Sequence, residues 1–488
     1  MNRTTNLRSV FASVAMAVLC LATVNVRAAE IVVIPVGGSP GVGFEDNTPA
    51  SPVGGNAGTT LGQQRLNVFL AAAQKWGANL DSNVPITVLA FFEPLPCSAT
   101  SAVLGAAGPI SVSRDFPGAE KPNTWYVSAL ANRLAGVDLD PVPDPFGNDL
   151  DIVAFFNSEL GKPGCLEGSG FYLGLDGKGP PNLDDFFSTV LHEFGHGLGF
   201  LTLTDETTGE YFAGFPTIFD HFTYDNKMER VWTEMNPQQR KKSAINSRQV
   251  VWSGDRVTAR APDVLDNARE VFLITRQHSK VIDSAPAQFG PQVDRRNPIA
   301  DKIAQVVDQP SGLGLACAPL SAANAAAVKG NIALIDRGVC AFTVKVKNAQ
   351  NAGAKAVLIA DNTPSLPPGE LPGFDPTISI PSARISQADG EDIKQAIRAS
   401  GVAVGKKISF LPPTAVFYEN IFRLAGADYR RRVMLYTPNP AQPGSSVSHW
   451  DTLARPNLLM EPFSTYPPTQ SVAPPGDLSR PFMRDIGW

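Results

Sequence analysis

The chain has 488 residues, room for roughly two to four domains. At 43% hydrophobic and 18% charged residues it can bury a core, and it is too weakly charged for a disordered tail protein. A net charge of −5 carries no basic footprint and argues against nucleic acid as a partner. Gly and Pro, 42 of each, point to many turns and argue against a coiled coil or an all-helical bundle.

The first residues read as an export signal. Arg3 and Arg8 form a positive start, and Val10 to Val24 is an apolar run of 15 residues, too short for a comfortable bilayer span. Val26-Arg27-Ala28 places cleavage after Ala28, so residues 1–28 are the expected signal peptide. Cys20 lies inside the run behind Leu19, where a lipid-anchor signal wants a small residue. Removal of this segment takes three Arg and leaves a charge of −8. It also leaves four cysteines, Cys97, Cys165, Cys317 and Cys340. An even count in an exported chain reads as two disulfides. Three pairings are open, and the local one, Cys97 with Cys165 and Cys317 with Cys340, is the simplest. No later apolar run is long enough for a membrane span. The expected location is secreted or periplasmic.

Along the remaining chain, Leu66, Phe69, Leu70, Ala73 and Trp76 repeat at helical spacing behind Thr60, a candidate N-cap. Ile86 to Phe92 and Ile152 to Phe156 read as strands. Between them, the Asp-rich stretch Asp138 to Asp151 offers weak grounds for calcium, because it fails the helix-loop-helix calcium pattern. A helix is expected to open at Asn182, with Asp184 and Asp185 in its first turn and Gly197 and Gly199 at its end. From Asp283 to Phe410 the pattern changes to a compact α/β unit. Its expected strands are 331–336, 356–361 and 378–381, with helices at 343–352 and 387–400. The remainder, 412–488, is Pro-rich and poor in regular pattern.

The chemistry concentrates in His192-Glu193-Phe194-Gly195-His196. Residues four apart share a helix face, so both imidazoles can reach one metal ion, with Glu193 beside them to contact a bound water. Zn2+ suits neutral imidazole and tolerates an open coordination position. Glu193 is the expected general base, and a third protein ligand is still required.

The run HEFGHGLGF resembles the metzincin zinc proteases, whose helix breaks at the Gly. In most of them the third His follows that Gly by three residues, where this chain has Thr202. Only His221, His278 and His449 remain. Ser446-Val447-Ser448-His449-Trp450-Asp451, followed by Leu459-Met460-Glu461-Pro462, is similar to the distant third-ligand segment of the leishmanolysin branch. That resemblance implies His449 as third ligand and Met460 as the Met-turn residue forming an apolar floor. His221, in Phe219-Asp220-His221-Phe222, stays open as an alternative ligand, and Tyr466 as a helper to the transition state.

Cys317-Ala318-Pro319-Leu320, NIALIDRGVCAFTVKVKNAQNAGAKAVLIADN and IPSARISQADG resemble a protease-associated domain. That family carries no catalytic residues, and the Cys317–Cys340 pairing fits it. The expected fold class is therefore α+β: a metzincin-type protease domain, with a mixed sheet and an active-site helix, split by an inserted α/β protease-associated domain. The expected parts are residues 29–282, the insertion 283–411, and 412–488. The function this implies is a secreted zinc endopeptidase acting on protein or peptide substrates. A non-catalytic exported binding protein on a vestigial metalloprotease fold is the alternative.

Overall fold

A computed structural model describes residues 28–37, 41–139, 149–364, 368–400 and 412–488. The expected signal peptide up to residue 27 and most of the Asp-rich stretch, residues 140–148, lie outside the described residues. The two ends of that stretch, Asp138 and Asp151, both accept from the Asn132 side chain.

The first unit is built on a four-stranded sheet. Its strands are β1 (Ile31–Pro35), β2 (Ile86–Glu93), β3 (Gly105–Pro109) and β4 (Ile152–Asn157), in the spatial order β1-β2-β4-β3. β1, β2 and β4 run parallel, and β3 pairs antiparallel with β4 as an edge strand. Ile86, Val88, Ala90 and Phe92 of β2 alternate into the core, as the two-residue period of a strand requires. Helices α1 (Leu61–Gly77), α2 (Ser128–Ala135) and α3 (Phe186–Gly197) are seated in the same core. Thr60 caps α1 by accepting from the Gln63 N–H. Phe69 of α1 meets Phe156, Phe186 and Phe194 at ring separations of 5.0, 5.7 and 6.1 Å. The Trp76 indole N–H donates to the Leu191 carbonyl at 3.0 Å, which fixes α1 against α3.

α3 starts later than its sequence pattern predicts. Asp184 and Asp185 pair with Phe171 and Tyr172 in a short parallel ladder. Asp185 then caps the helix, accepting from the Ser188 N–H at 2.8 Å. A carboxylate that satisfies a free helix N–H does the work of a cap, so the preceding residues remain extended.

The second unit is an eight-stranded sheet. In chain order its strands are β5 (Asn267–Ile274), β6 (Ser279–Ile282), β7 (Ser284–Pro286), β8 (Ile299–Gln305), β9 (Ile332–Asp336), β10 (Ala356–Ala360), β11 (Ser382–Ile385) and β12 (Thr414–Leu424). The spatial order is β6-β5-β12-β8-β9-β10-β11-β7, with β8 to β11 parallel. Alternate residues of β9 and β10 enter two separate cores, Ile332, Leu334, Ala356 and Leu358 in one and Ala333, Ile335, Val357 and Ile359 in the other. Burial on both faces explains why these strands read as continuous apolar runs. Helix α4 (Phe342–Asn351) adds Val346 to one core and α5 (Gln387–Ala399) adds Ile393 to the other.

The structure departs from the sequence pattern in three further places. The strand expected at 378–381 forms at β11, after Pro381, because proline has no N–H to give the ladder. The sheet reaches beyond 283 and 411: β5 and β12 pair antiparallel from Asn267↔Leu424 to Ile274↔Thr414, so the chain enters and leaves side by side. Residues 412–488 are less irregular than their composition suggests. They hold β12 and a terminal helix, α6 (Ser479–Ile486), whose Phe482 stacks on Phe200 at 4.1 Å.

Disulfides join Cys97 to Cys165 and Cys317 to Cys340. No helix among the described residues is long and apolar enough to cross a membrane.

Candidate metal centre

The site grows from α3. Phe186, Phe187, Val190, Leu191 and Phe194 drive this helix into the core, which leaves His192 and His196 one turn apart on a face that meets the C-terminal segment. The position of Gly195, between them, lets the fully buried Met460 approach. A Cβ there would lie 2.5 Å from the Met460 sulfur. Met460 O accepts from the Trp450 N–H at 2.8 Å, so the Met460 segment is tied directly to the residue after His449.

Three imidazoles converge. His192 Nε2 and His196 Nε2 are 3.0 Å apart, and each lies 3.2 Å from His449 Nε2. Each ring donates its Nδ1–H to a backbone carbonyl: His192 to Leu459 at 2.7 Å, His196 to Phe200 at 2.8 Å and His449 to Ser445 at 2.8 Å. With Nδ1 protonated, the three Nε2 lone pairs face one another. Such a group repels itself unless a cation lies among the nitrogens. Three nitrogens bound tetrahedrally to one ion at zinc distances lie about 3.3 Å apart, close to the spacing here. Among the described residues these three form the only group of His, Cys, Asp or Glu of this kind. Burial holds the imidazoles neutral. It lowers His192 to about 4, lowers His196, with His192 beside it, to about 3, and keeps His449 well below its usual value.

Glu193 points to the neighbouring edge strand. Its carboxyl is buried, which pushes its pKa up to about 8, opposed by a hydrogen bond from the Ala107 N–H of β3. The strand leaves it little room: a Cβ on Gly105 would lie 3.0 Å from Glu193 Cγ and 3.1 Å from Oε1.

The other candidates lie elsewhere. His221 Nε2 is 2.9 Å from Thr124 Oγ1 and outside the triad, and His278 pairs with Asp392 in the second unit at 2.9 Å. Tyr466 is 40% exposed and lines a separate cavity of about 510 Å³ with Glu370, Arg455 and Gln470. Thr202, at the short-spaced third-ligand position, instead donates its hydroxyl to Asp220 at 2.7 Å and its N–H to Ser448 Oγ at 3.1 Å. Gly105, Ala107 and Asp220 escape the sequence reading because they meet Glu193 and Thr202 only once the chain has folded, and Ser445 escapes it because a backbone carbonyl leaves no residue signature.

Residues 302–393 match the PA domain family, so an inserted PA domain interrupts a mixed α+β chain. Vacuolar-sorting receptor 5 of Arabidopsis thaliana is 45% identical over 73 residues, 14% of this chain and 12% of the receptor. Leucine aminopeptidase 2 of Arthroderma otae is 33% identical over 107 residues, 22% of this chain and 21% of that protein. The chain thus spans about an eighth to a fifth of these relatives. Among solved structures, BSAP, a zinc aminopeptidase from Bacillus subtilis, aligns at 23% identity over 36% of each chain, with a TM-score of 0.22.

Proposed function

We propose that this protein is a zinc-dependent endopeptidase of the leishmanolysin-like metzincin type, exported through its N-terminal signal. The observation that carries this reading is the convergence of three Nε2 atoms within 3.0–3.2 Å, with Glu193 next in the chain to one of them. His192, His196 and His449 would hold the metal, and Met460 packs beneath the helix that bears two of them. When bound, zinc polarises a substrate carbonyl and lowers the pKa of its water toward about 7.

The chain's own groups then do the following. The three Nδ1–H bonds keep the imidazoles in one tautomer and orientation. In its ionised form, which the Ala107 N–H favours, Glu193 accepts the proton of the attacking water and delivers it to the leaving amine. The Ala107 N–H holds the carboxylate in place. β3 is an edge strand beside Glu193, and an extended peptide laid along such an edge can pair with the backbone groups that Glu193 does not occupy. That arrangement needs no free substrate amine and supports internal cleavage over removal of terminal residues.

The test is hydrolysis of a denatured protein and of peptides with blocked or free N-termini, with and without chelator. Chelator-sensitive cleavage of blocked peptides is expected. A requirement for a free amine would replace the endopeptidase reading by an aminopeptidase one, in line with the activity named for some relatives. Absence of bound zinc and of any cleavage would favour the binding-protein alternative.

A further inference from the structure

Asp220 is fully buried, and among the described residues its carboxylate meets no cation. It accepts from Thr202 Oγ1 at 2.7 Å, Thr204 Oγ1 at 3.1 Å, Thr217 Oγ1 at 2.9 Å and the Thr217 N–H at 2.7 Å. Thr202 Oγ1 in turn accepts from the Thr204 N–H at 3.0 Å, which closes the loop on itself. Burial of a carboxylate is expensive unless donors saturate it, and four donors here draw the chain after α3 into one shape. That shape leaves the Thr202 N–H aimed outward, at 3.1 Å from Ser448 Oγ. Two residues earlier, the Phe200 carbonyl accepts from His196 Nδ1. One short segment, braced by Asp220, therefore touches both the ring of His196 and the residue before His449.

We propose that Asp220 is a positioning residue for the metal centre: by clamping Thr202 it fixes Ser448, and so places the His449 imidazole against His192 and His196. The inference rests on the metal-ligand reading of the three histidines. It gives a role to Thr202, which stands where the short-spaced motif would carry its third ligand. The segment that supplies no ligand holds the distant one.

The experiment compares Asp220→Asn, Thr202→Val and Ser448→Ala with the wild-type chain. The readouts are zinc affinity by chelator competition and the visible absorption of the Co2+-substituted protein. Loss of an outer partner of a ligand typically weakens metal binding about 10–100-fold, and a loss in that range with an altered Co2+ band is expected for each variant. Asp225→Asn is the control. Asp225 is equally buried and accepts from Lys227 N, Met228 N and Asn246, none of them bonded to a histidine of the triad. It is expected to lower Tm and leave zinc affinity unchanged. Equal weakening by Asp225→Asn would mean general loosening and overturn the assignment. Should Asp220→Asn not fold, Ser448→Ala decides the matter alone, because it removes only the final contact. Wild-type affinity and spectrum in Ser448→Ala overturn the inference while a zinc-loaded wild type keeps the metal centre intact. A wild type that binds no zinc overturns both.

Discussion

The inserted unit and the histidine cluster of the first unit handle polar groups in opposite ways. In the inserted unit, buried charge is neutralised where it stands. Asp361, with a side chain 0% exposed, takes Arg337 at 2.8 Å and Arg384 at 2.5 Å, and Lys394 meets Asp336 at 2.7 Å. In the first unit, three imidazole lone pairs converge on one point, and the buried Glu193 has no cation against it among the described residues. A unit that completes its own pairs is built for stability. A group that leaves the same need unmet at one point is built to take something in.

The comparison breaks most sharply at Glu193. Glu193→Ala is expected to lower kcat/KM for a blocked peptide by about a thousandfold, as loss of a general base does, while bound zinc remains stoichiometric. Unchanged turnover would remove the catalytic reading altogether. Next, His449→Ala is expected to weaken zinc binding more than about 100-fold, beyond the effect of an outer partner, with His221→Ala at wild-type affinity. Zinc lost from the His221 variant instead would reverse the ligand assignment. In the inserted unit, Asp361→Ala leaves Arg384 buried beside Arg337 and is expected to cost about 3 kcal/mol in urea unfolding. Zinc affinity should not change; a joint loss of stability and metal would show that the units are not separable. The smallest effect is expected at Gly105, where an added methyl meets Glu193 at 3.0 Å. Gly105→Ala should lower kcat about tenfold by displacing the base, with zinc retained.

Local pattern made some elements legible. The α1 run with its Thr60 cap, the apolar strands β2, β4, β9 and β10, and α5 all appear within a residue or two of their expected ends. Periodicity speaks for these because each one's burial is set by its own side chains. The misreadings fall where a partner decides. Asp184 and Asp185 look like a helical first turn until Phe171 and Tyr172 pair with them. β12 looks like Pro-bounded loop until β5 and β8 flank it. α6, with eight residues, is too short to hold by propensity and exists because Phe482 packs among Phe200, Trp252 and Trp450.

At the candidate metal centre the division is equally physical. Four-residue spacing on one helix was enough to pair His192 with His196, since helix geometry does that without help. The residue types also named the chemistry, because imidazole beside a carboxylate has few other uses at that spacing. Which distant His would join them was not a matter of local pattern. His221 lies 25 residues beyond His196 and His449 lies 253 beyond it, and the chain between them loops out through the inserted sheet. Only tertiary packing returns His449 to the helix. It does so through Met460 against Gly195, through the Thr202 bond to Ser448, and through the Leu459 carbonyl that accepts from His192 Nδ1. Hydrogen bonds and steric contacts across such separations leave no trace in spacing, because they depend on where the backbone goes and not on the order of the residues.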